Sequence, residues 1–288
     1  MTHSPDVYSG RLPPLSQVNT DPAEKSLVRV VWILNEVFKR ITRRRWRGLD
    51  HVPATGGAVF VVNHISNLDP IVFGQFLAYA GRYPHYLGKA SLFKLPVVGR
   101  VISGIGQIPV ERGTQNAVHA LSQAIEAVRN GTTVTVYPEG TITLDPDLWP
   151  MEGKTGAARI ALETSVPVIP VGCWGAQHII GAKKVHFPRL FPRHTMQVLA
   201  GDPVDLDDLR SQPLTAAVLR EATDRIMTAI TALVAELRGE EPPSRRYNPS
   251  RRASLPPDAL DPDAPEPPAF NPQTPDQQTP DPQTPGAA

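Results

Sequence analysis

The residues best placed to do chemistry lie in Asn63-His64-Ile65-Ser66-Asn67-Leu68-Asp69-Pro70. A histidine with one ring nitrogen held by a carboxylate keeps the other free to take a proton, the arrangement of a general base. His64 follows the apolar run Ala58 to Val62, which reads as a buried strand, and Ile71 to Leu77 then takes up helical spacing. The spacing predicts His64 at the C-terminal end of a strand and Asp69 at the start of a helix, where a turn can join them. Asn67 and Asp69 are also helix-capping types and Pro70 suits a first turn, so the pair by itself favours a structural role, and it takes the stretches that follow to reverse that.

The elements that must position this motif are legible on either side. Tyr137-Pro138-Glu139-Gly140-Thr141 follows the apolar strand Thr133 to Val136, and Ile105 to Arg112 runs from an apolar segment into a charged loop. Gln115 to Arg129 reads as an amphipathic helix ended by Asn130-Gly131. Val166 to Val171 and Thr195 to Gly201 read as strands, and Leu214 to Leu237 as the last helix. Pro167 and Pro170 lack N–H donors, which argues against regular pairing on both sides of their strand. The alternation predicts an α/β fold, a single domain with a central, largely mixed β-sheet flanked by helices, preceded by an N-terminal amphipathic helix. Loops at the C-terminal ends of the strands would gather His64, Asp69, Arg112 and Glu139.

Composition narrows the function classes. A net charge of +1 argues against a nucleic-acid partner, and the one cysteine, Cys173, supplies neither a disulfide nor a cysteine metal cluster. No cofactor and no metal are expected. Residues 1–22 read as a flexible lead-in without a secretory signal, making the cytoplasm the default. Residues 23–47 read as a membrane-associating amphipathic helix, too short and too charged to span a bilayer. Its expected contacts are Leu27, Val31, Trp32, Leu34 and Phe38, with Arg43, Arg44, Arg45 and Trp46 meeting an anionic surface. Trp46-Arg47-Gly48-Leu49 is the expected lead-in strand of the domain at 48–238. Residues 239–288, with their repeated Gln-Thr-Pro, read as a disordered Pro-rich tail.

Together, the blocks His64 to Asp69, Gly106 to Arg112, Tyr137 to Thr141 and Val166 to Val171 resemble, in order and spacing, the glycerolipid acyltransferase family of 1-acylglycerol-3-phosphate O-acyltransferases. The resemblance covers residues 27–235. It implies transfer of an acyl group from acyl-CoA or acyl carrier protein to a lysophospholipid hydroxyl, giving phosphatidic acid, at the cytoplasmic face of the cell membrane. His64 would be the base, Asp69 its support and Arg112 the phosphate clamp, a task suited to the guanidinium fork. Glu139, Gly140 and Thr141 would form the acceptor site. Glu139 would position Arg112 or a loop amide rather than touch phosphate, and Lys154 matches a basic position near the phosphate.

One departure stands out. Ile142 replaces the arginine that usually follows Gly-Thr, which leaves another lysophospholipid, a glycolipid or a different alcohol open as acceptor. A lipid hydrolase using Ser66 lacks a nucleophile elbow. An inactive membrane-binding module is disfavoured because every catalytic group is in place.

Overall fold

The computed structural model describes residues 12–96, 98–103, 107–110, 115–181 and 188–249. The elements run α1 (Leu15–Val18), α2 (Lys25–Ile41), β1 (Thr42–Arg47), β2 (Ala58–Val62), α3 (Asp69–Tyr79), β3 (Leu87–Lys89), α4 (Ala90–Phe93) and α5 (Val98–Ser103). They continue with β4 (Ile108–Val110), α6 (Gln115–Arg129), β5 (Thr133–Val136), α7 (Gly156–Thr164), β6 (Val168–Trp174), β7 (His194–Ala200), α8 (Asp207–Arg210) and α9 (Ala216–Arg238).

The central sheet has five strands in the order β1-β7-β6-β2-β5. β2 pairs in parallel with both β5 and β6, β1 in parallel with β7, and β6 antiparallel to β7, so the sheet is mixed as expected. The small parallel pair β3–β4 continues from the β5 edge through a bridge between Tyr86 and Thr135. Pro170 pairs with Val61 of β2, while on the β7 side the ladder begins at Val171 and Pro170, lacking an N–H, only accepts through its carbonyl from Gly201 N–H at 2.9 Å.

β2 shows why an unbroken apolar run was required. All five of its residues are fully buried, with Phe60 and Val62 in one core cluster and Val59 and Val61 in the other. A strand covered by helices on both faces has no solvent side to alternate with. The first cluster joins α2 and α3 to the sheet through Phe38, Phe73 and Phe76, and the second joins α6, α7 and α9 through Ile125, Ile160, Ile226 and Ile230.

The N-terminal region differs from its sequence reading. The helix ends at Ile41, and Arg43, Arg44 and Arg45 lie in the edge strand β1 rather than on a basic helix end. Trp46, expected at a membrane, is fully buried, with its ring 6.0 Å from Phe76 in an edge-on contact. Leu27, Val31 and Phe38 likewise face the core. Period two turns Thr42, Arg44 and Trp46 toward the interior, and burial lowers the pKa of the half-covered Arg44. Of the expected contacts Trp32 is exposed, and beside it on α2 so are Ile33 and Val37.

At the other end, residues 240–248, assigned to the tail on sequence, are tied to the domain. Glu152 N–H donates to Tyr247 O at 3.0 Å, Asn248 Nδ2 to Glu152 Oε2 at 2.6 Å, and Arg246 pairs with Asp224. Residues 250–288 lie outside the described residues.

Candidate active site

β2 and β5 are adjacent and parallel, so the loops leaving their C-terminal ends meet. One carries His64 and the other Glu139. His64 Nδ1 lies 2.9 Å from Asp69 Oδ2. That oxygen also accepts from the backbone N–H groups of Ile65 at 2.6 Å and Ser66 at 2.8 Å. A carboxylate oxygen serving backbone donors acts as an acceptor, so Nδ1 carries the proton toward it and Nε2 holds the free lone pair. The carboxylate thus closes the turn and sets the tautomer together. It does not cap the helix: the N-cap of α3 is Leu68, without a side-chain bond.

Glu139 fixes the histidine's main chain. Its Oε1 accepts His64 N–H at 2.8 Å and its Oε2 accepts Met151 N–H at 3.0 Å. Of the two roles read from sequence, holding a loop amide is seen here; the other involves Arg112, which lies outside the described residues. Only 3% of Glu139 is exposed, and burial pushes its carboxyl up to about 8 against the two amides that favour the ionised form. From the other side, Thr143 N–H donates to His64 O at 2.7 Å. Asn63 then spans to β6, accepting Cys173 N–H at 2.7 Å and donating to Cys173 O at 3.0 Å. The Cys173 thiol is buried and its pKa raised by desolvation, as suits a structural thiol.

Tyr137 was quoted on sequence only as part of its block. Its ring stacks on His64 at 4.4 Å with an interplanar angle of 29°, limiting the orientations open to the imidazole. The signal was available: an aromatic ending a strand beside the strand that delivers the histidine. Behind it, Tyr86 donates to Pro70 O at 2.6 Å, and a Cβ on Gly74 would lie 2.9 Å from that hydroxyl, so a side chain there would have to displace it.

Ser66 is fully buried. Its Oγ donates to Ile180 O at 2.8 Å and accepts Leu68 N–H at 3.2 Å. A hydroxyl engaged as donor and acceptor inside the turn is not presented as a nucleophile, which removes the hydrolase reading's central residue.

The side expected on sequence to take the acceptor is more open. Thr141 and Lys154 are exposed and Ile142 is half-buried. Gly140 adopts φ +75°, and the Lys154 side chain crosses it so closely that a Cβ there would lie 3.1 Å from Lys154 Cδ. Lys154 N–H is anchored on Pro138 O at 2.8 Å. Arg112 lies outside the described residues. His64, Gly140, Thr141, Ile142 and Lys154 all line a cavity of about 1170 Å³, which continues between α2 and α3 and beside β3 and β4. Most of its wall is apolar, including Val31, Leu34, Ile71 and Leu121.

Residues 43–174 match the Acyltransferase family. A chloroplastic 1-acyl-sn-glycerol-3-phosphate acyltransferase of Brassica napus is 34% identical over 136 residues, 46% of this chain and 38% of that one. The enzyme of the same name from Bacillus subtilis is 26% identical over 183 residues, 62% of this chain and 83% of that one. The crystal structure of the 1-acyl-sn-glycerophosphate acyltransferase of Thermotoga maritima superposes with a TM-score of 0.56 at 25% identity, covering 75% of this chain and 83% of that chain. The chain spans less than half the length of the plant relatives it matches. By sequence and by structure it is similar to the bacterial and plant 1-acylglycerol-3-phosphate acyltransferases.

Proposed function

We propose that the protein moves a fatty acyl group from acyl-CoA or acyl carrier protein to the free hydroxyl of 1-acylglycerol-3-phosphate, giving phosphatidic acid. The observation that carries this reading is the free His64 Nε2 set by Asp69 at the mouth of a long apolar cavity. Nε2 takes the proton of the acceptor hydroxyl as its oxygen attacks the thioester carbonyl carbon. The tetrahedral adduct then collapses, the carbon–sulfur bond breaks, and the departing thiolate takes the proton from the imidazolium. No residue needs to be acylated. Acyl chains occupy the apolar cavity, the acceptor phosphate meets Lys154 at the rim, and Arg112 is its second clamp on the sequence reading. Initial rates with lysophosphatidic acid and either donor test the proposal; folded protein that forms no phosphatidic acid would overturn it.

Ile142 favours a second reading, in which the acceptor is another lysophospholipid, a glycolipid or a different alcohol. An apolar side chain at this position gives a phosphate nothing to bind. A matched acceptor panel with and without phosphate separates the two.

We further propose peripheral attachment to the cytoplasmic face of the membrane. Among the described residues no helix is long and apolar enough to cross a bilayer. Support comes from the exposed Trp32, Ile33 and Val37 on α2, an apolar face suited to the headgroup boundary. Liposome flotation that is unchanged by polar replacement of these three would remove this role.

A further inference from the structure

The apolar wall of the cavity ends on a polar residue along each of two helices. α2 lines it from Leu27 to Asn35 and α3 from Pro70 to Gln75, and no later residue of either helix takes part. Asn35 is 3% exposed and Gln75 5% exposed. They belong to one hydrogen-bonded chain. Gln75 Nε2 donates to Asn35 Oδ1 at 2.7 Å, Asn35 Nδ2 to the Tyr79 hydroxyl at 3.1 Å, and that hydroxyl to Pro13 O at 3.2 Å.

The direction of this chain follows from its last member. A carbonyl only accepts, so the Tyr79 hydroxyl donates to Pro13 and accepts from Asn35. Asn35 must then turn its NH₂ to Tyr79 and its oxygen to Gln75, and Gln75 must donate. Gln75 Oε1 is left as the terminal acceptor at the cavity wall, and no described residue donates to it.

We propose that Gln75, oriented by Asn35, is a specificity-determining residue that ends the acyl-chain site, admitting plain methylenes up to it and rejecting those that would cover it. The inference rests on the reading of the cavity as an acyl site. Gln75 lies six residues beyond Asp69, about 9 Å along the axis of α3 at the usual helical rise. A methylene chain lying over Oε1 would strip it of water and return no donor, a loss of roughly tenfold or more in rate. A hydroxyl at the same depth supplies the missing donor.

The test measures initial rates with acyl thioesters of increasing length, each beside its ω-hydroxylated counterpart. The parent and an Asn35→Leu/Gln75→Leu variant are compared, with circular dichroism and thermal unfolding confirming the fold. In the parent, the plain-chain rate falls about tenfold or more over one step in length, and the ω-hydroxyl at that step recovers most of it. In the double variant the hydroxyl advantage disappears and the fall moves to longer chains. Equal decline of plain and hydroxylated chains in the parent overturns the proposal without any variant. An unshifted cut-off in the folded double variant overturns it too. Transfer that lacks this signature removes the inference alone, whereas a folded parent that transfers no acyl group removes the functional reading and the inference together.

Discussion

Two sides of the same site are held in opposite ways. On the catalytic side, the side chains of Asp69 and Glu139 are buried and every bond to His64 is short and internal: Asp69 on the ring, Glu139 on the amide, Thr143 on the carbonyl. On the acceptor side, Thr141 and Lys154 face solvent and Ile142 offers no polar group. Buried hydrogen bonds to charged groups are costly to break and fix geometry, while exposed charges are screened and cost little to change. Under the proposed function, the contrast would place the reaction on the buried side and the choice of acceptor at the rim.

The largest effect that would break this division comes from the ring itself. His64→Ala is expected to lower turnover by about 10²–10⁴-fold while donor affinity holds, because a general base commonly contributes that much. Asp69→Asn removes the negative charge that supports the protonated ring and weakens the bonds that one oxygen makes to the ring and to the two backbone N–H groups, so its effect is similar and some stability is lost. Ser66→Ala, measured beside them, retains far more activity. Near-normal turnover by folded His64→Ala would transfer the chemistry elsewhere.

Glu139 comes next. Glu139→Gln leaves one acceptor atom for two backbone donors, and turnover is expected to fall about tenfold with one net bond lost. Its stability profile gives a second readout. The unfolded carboxyl titrates near 4.5 and the folded one near 8, so between these values the folded state holds the extra proton. Stability therefore falls as pH rises from 4.5 to about 8, and flattens above it. Urea unfolding across this range should lose at least about 1 kcal/mol in the parent from this group, and lose it less steeply in Glu139→Gln. Equal slopes in both proteins would show that the carboxyl titrates normally.

The catalytic side was also the legible side. A strand buried on both faces needs an unbroken apolar run, so Ala58 to Val62 announced itself, while Thr133 to Val136 was legible as four β-branched residues in a row; the polar residues that follow each had to be the loops. Register did the rest, because neighbouring parallel strands deliver His64 and Glu139 to one end. β1 was obscure for the opposite reason. An edge strand of six residues with four arginines turns only Thr42, Arg44 and Trp46 inward, too few to display period two beside a helix that ends in basic residues. The burial of α2 was hidden because an apolar stripe looks the same whether it meets a membrane or a core. Asn35 breaks that stripe at its centre, and a polar residue there has to be paired inside a protein.

On the rim the expected effects are smaller and selective. Lys154→Ala should reduce use of a phosphorylated acceptor about three- to tenfold through KM while sparing a neutral one, the range for a partly exposed charge contact. Ile142→Arg should improve discrimination for phosphate, since residue 142 lines the cavity and a guanidinium there can donate two bonds. Equal losses on both acceptors would make Lys154 a cover for Gly140 alone. No gain from Ile142→Arg would move phosphate recognition to other residues.

The smallest effect concerns where the domain stops. Truncation after Asn248 keeps the contacts of Tyr247 and Asn248 with Glu152 and the Arg246–Asp224 pair, and thermal stability and turnover are expected to match the full chain. Truncation after Glu241 removes them. Glu152 follows Met151, whose N–H holds Glu139, so this loss reaches the catalytic side through one peptide unit. The bonds are mostly exposed, which limits the cost to about 1 kcal/mol and a drop of a few degrees in midpoint. A turnover loss larger than the stability loss would show that the 240–248 segment helps hold Glu139 in place. Identical behaviour of the two truncations would confine its contacts to the surface and leave the buried side of the site complete at the end of α9.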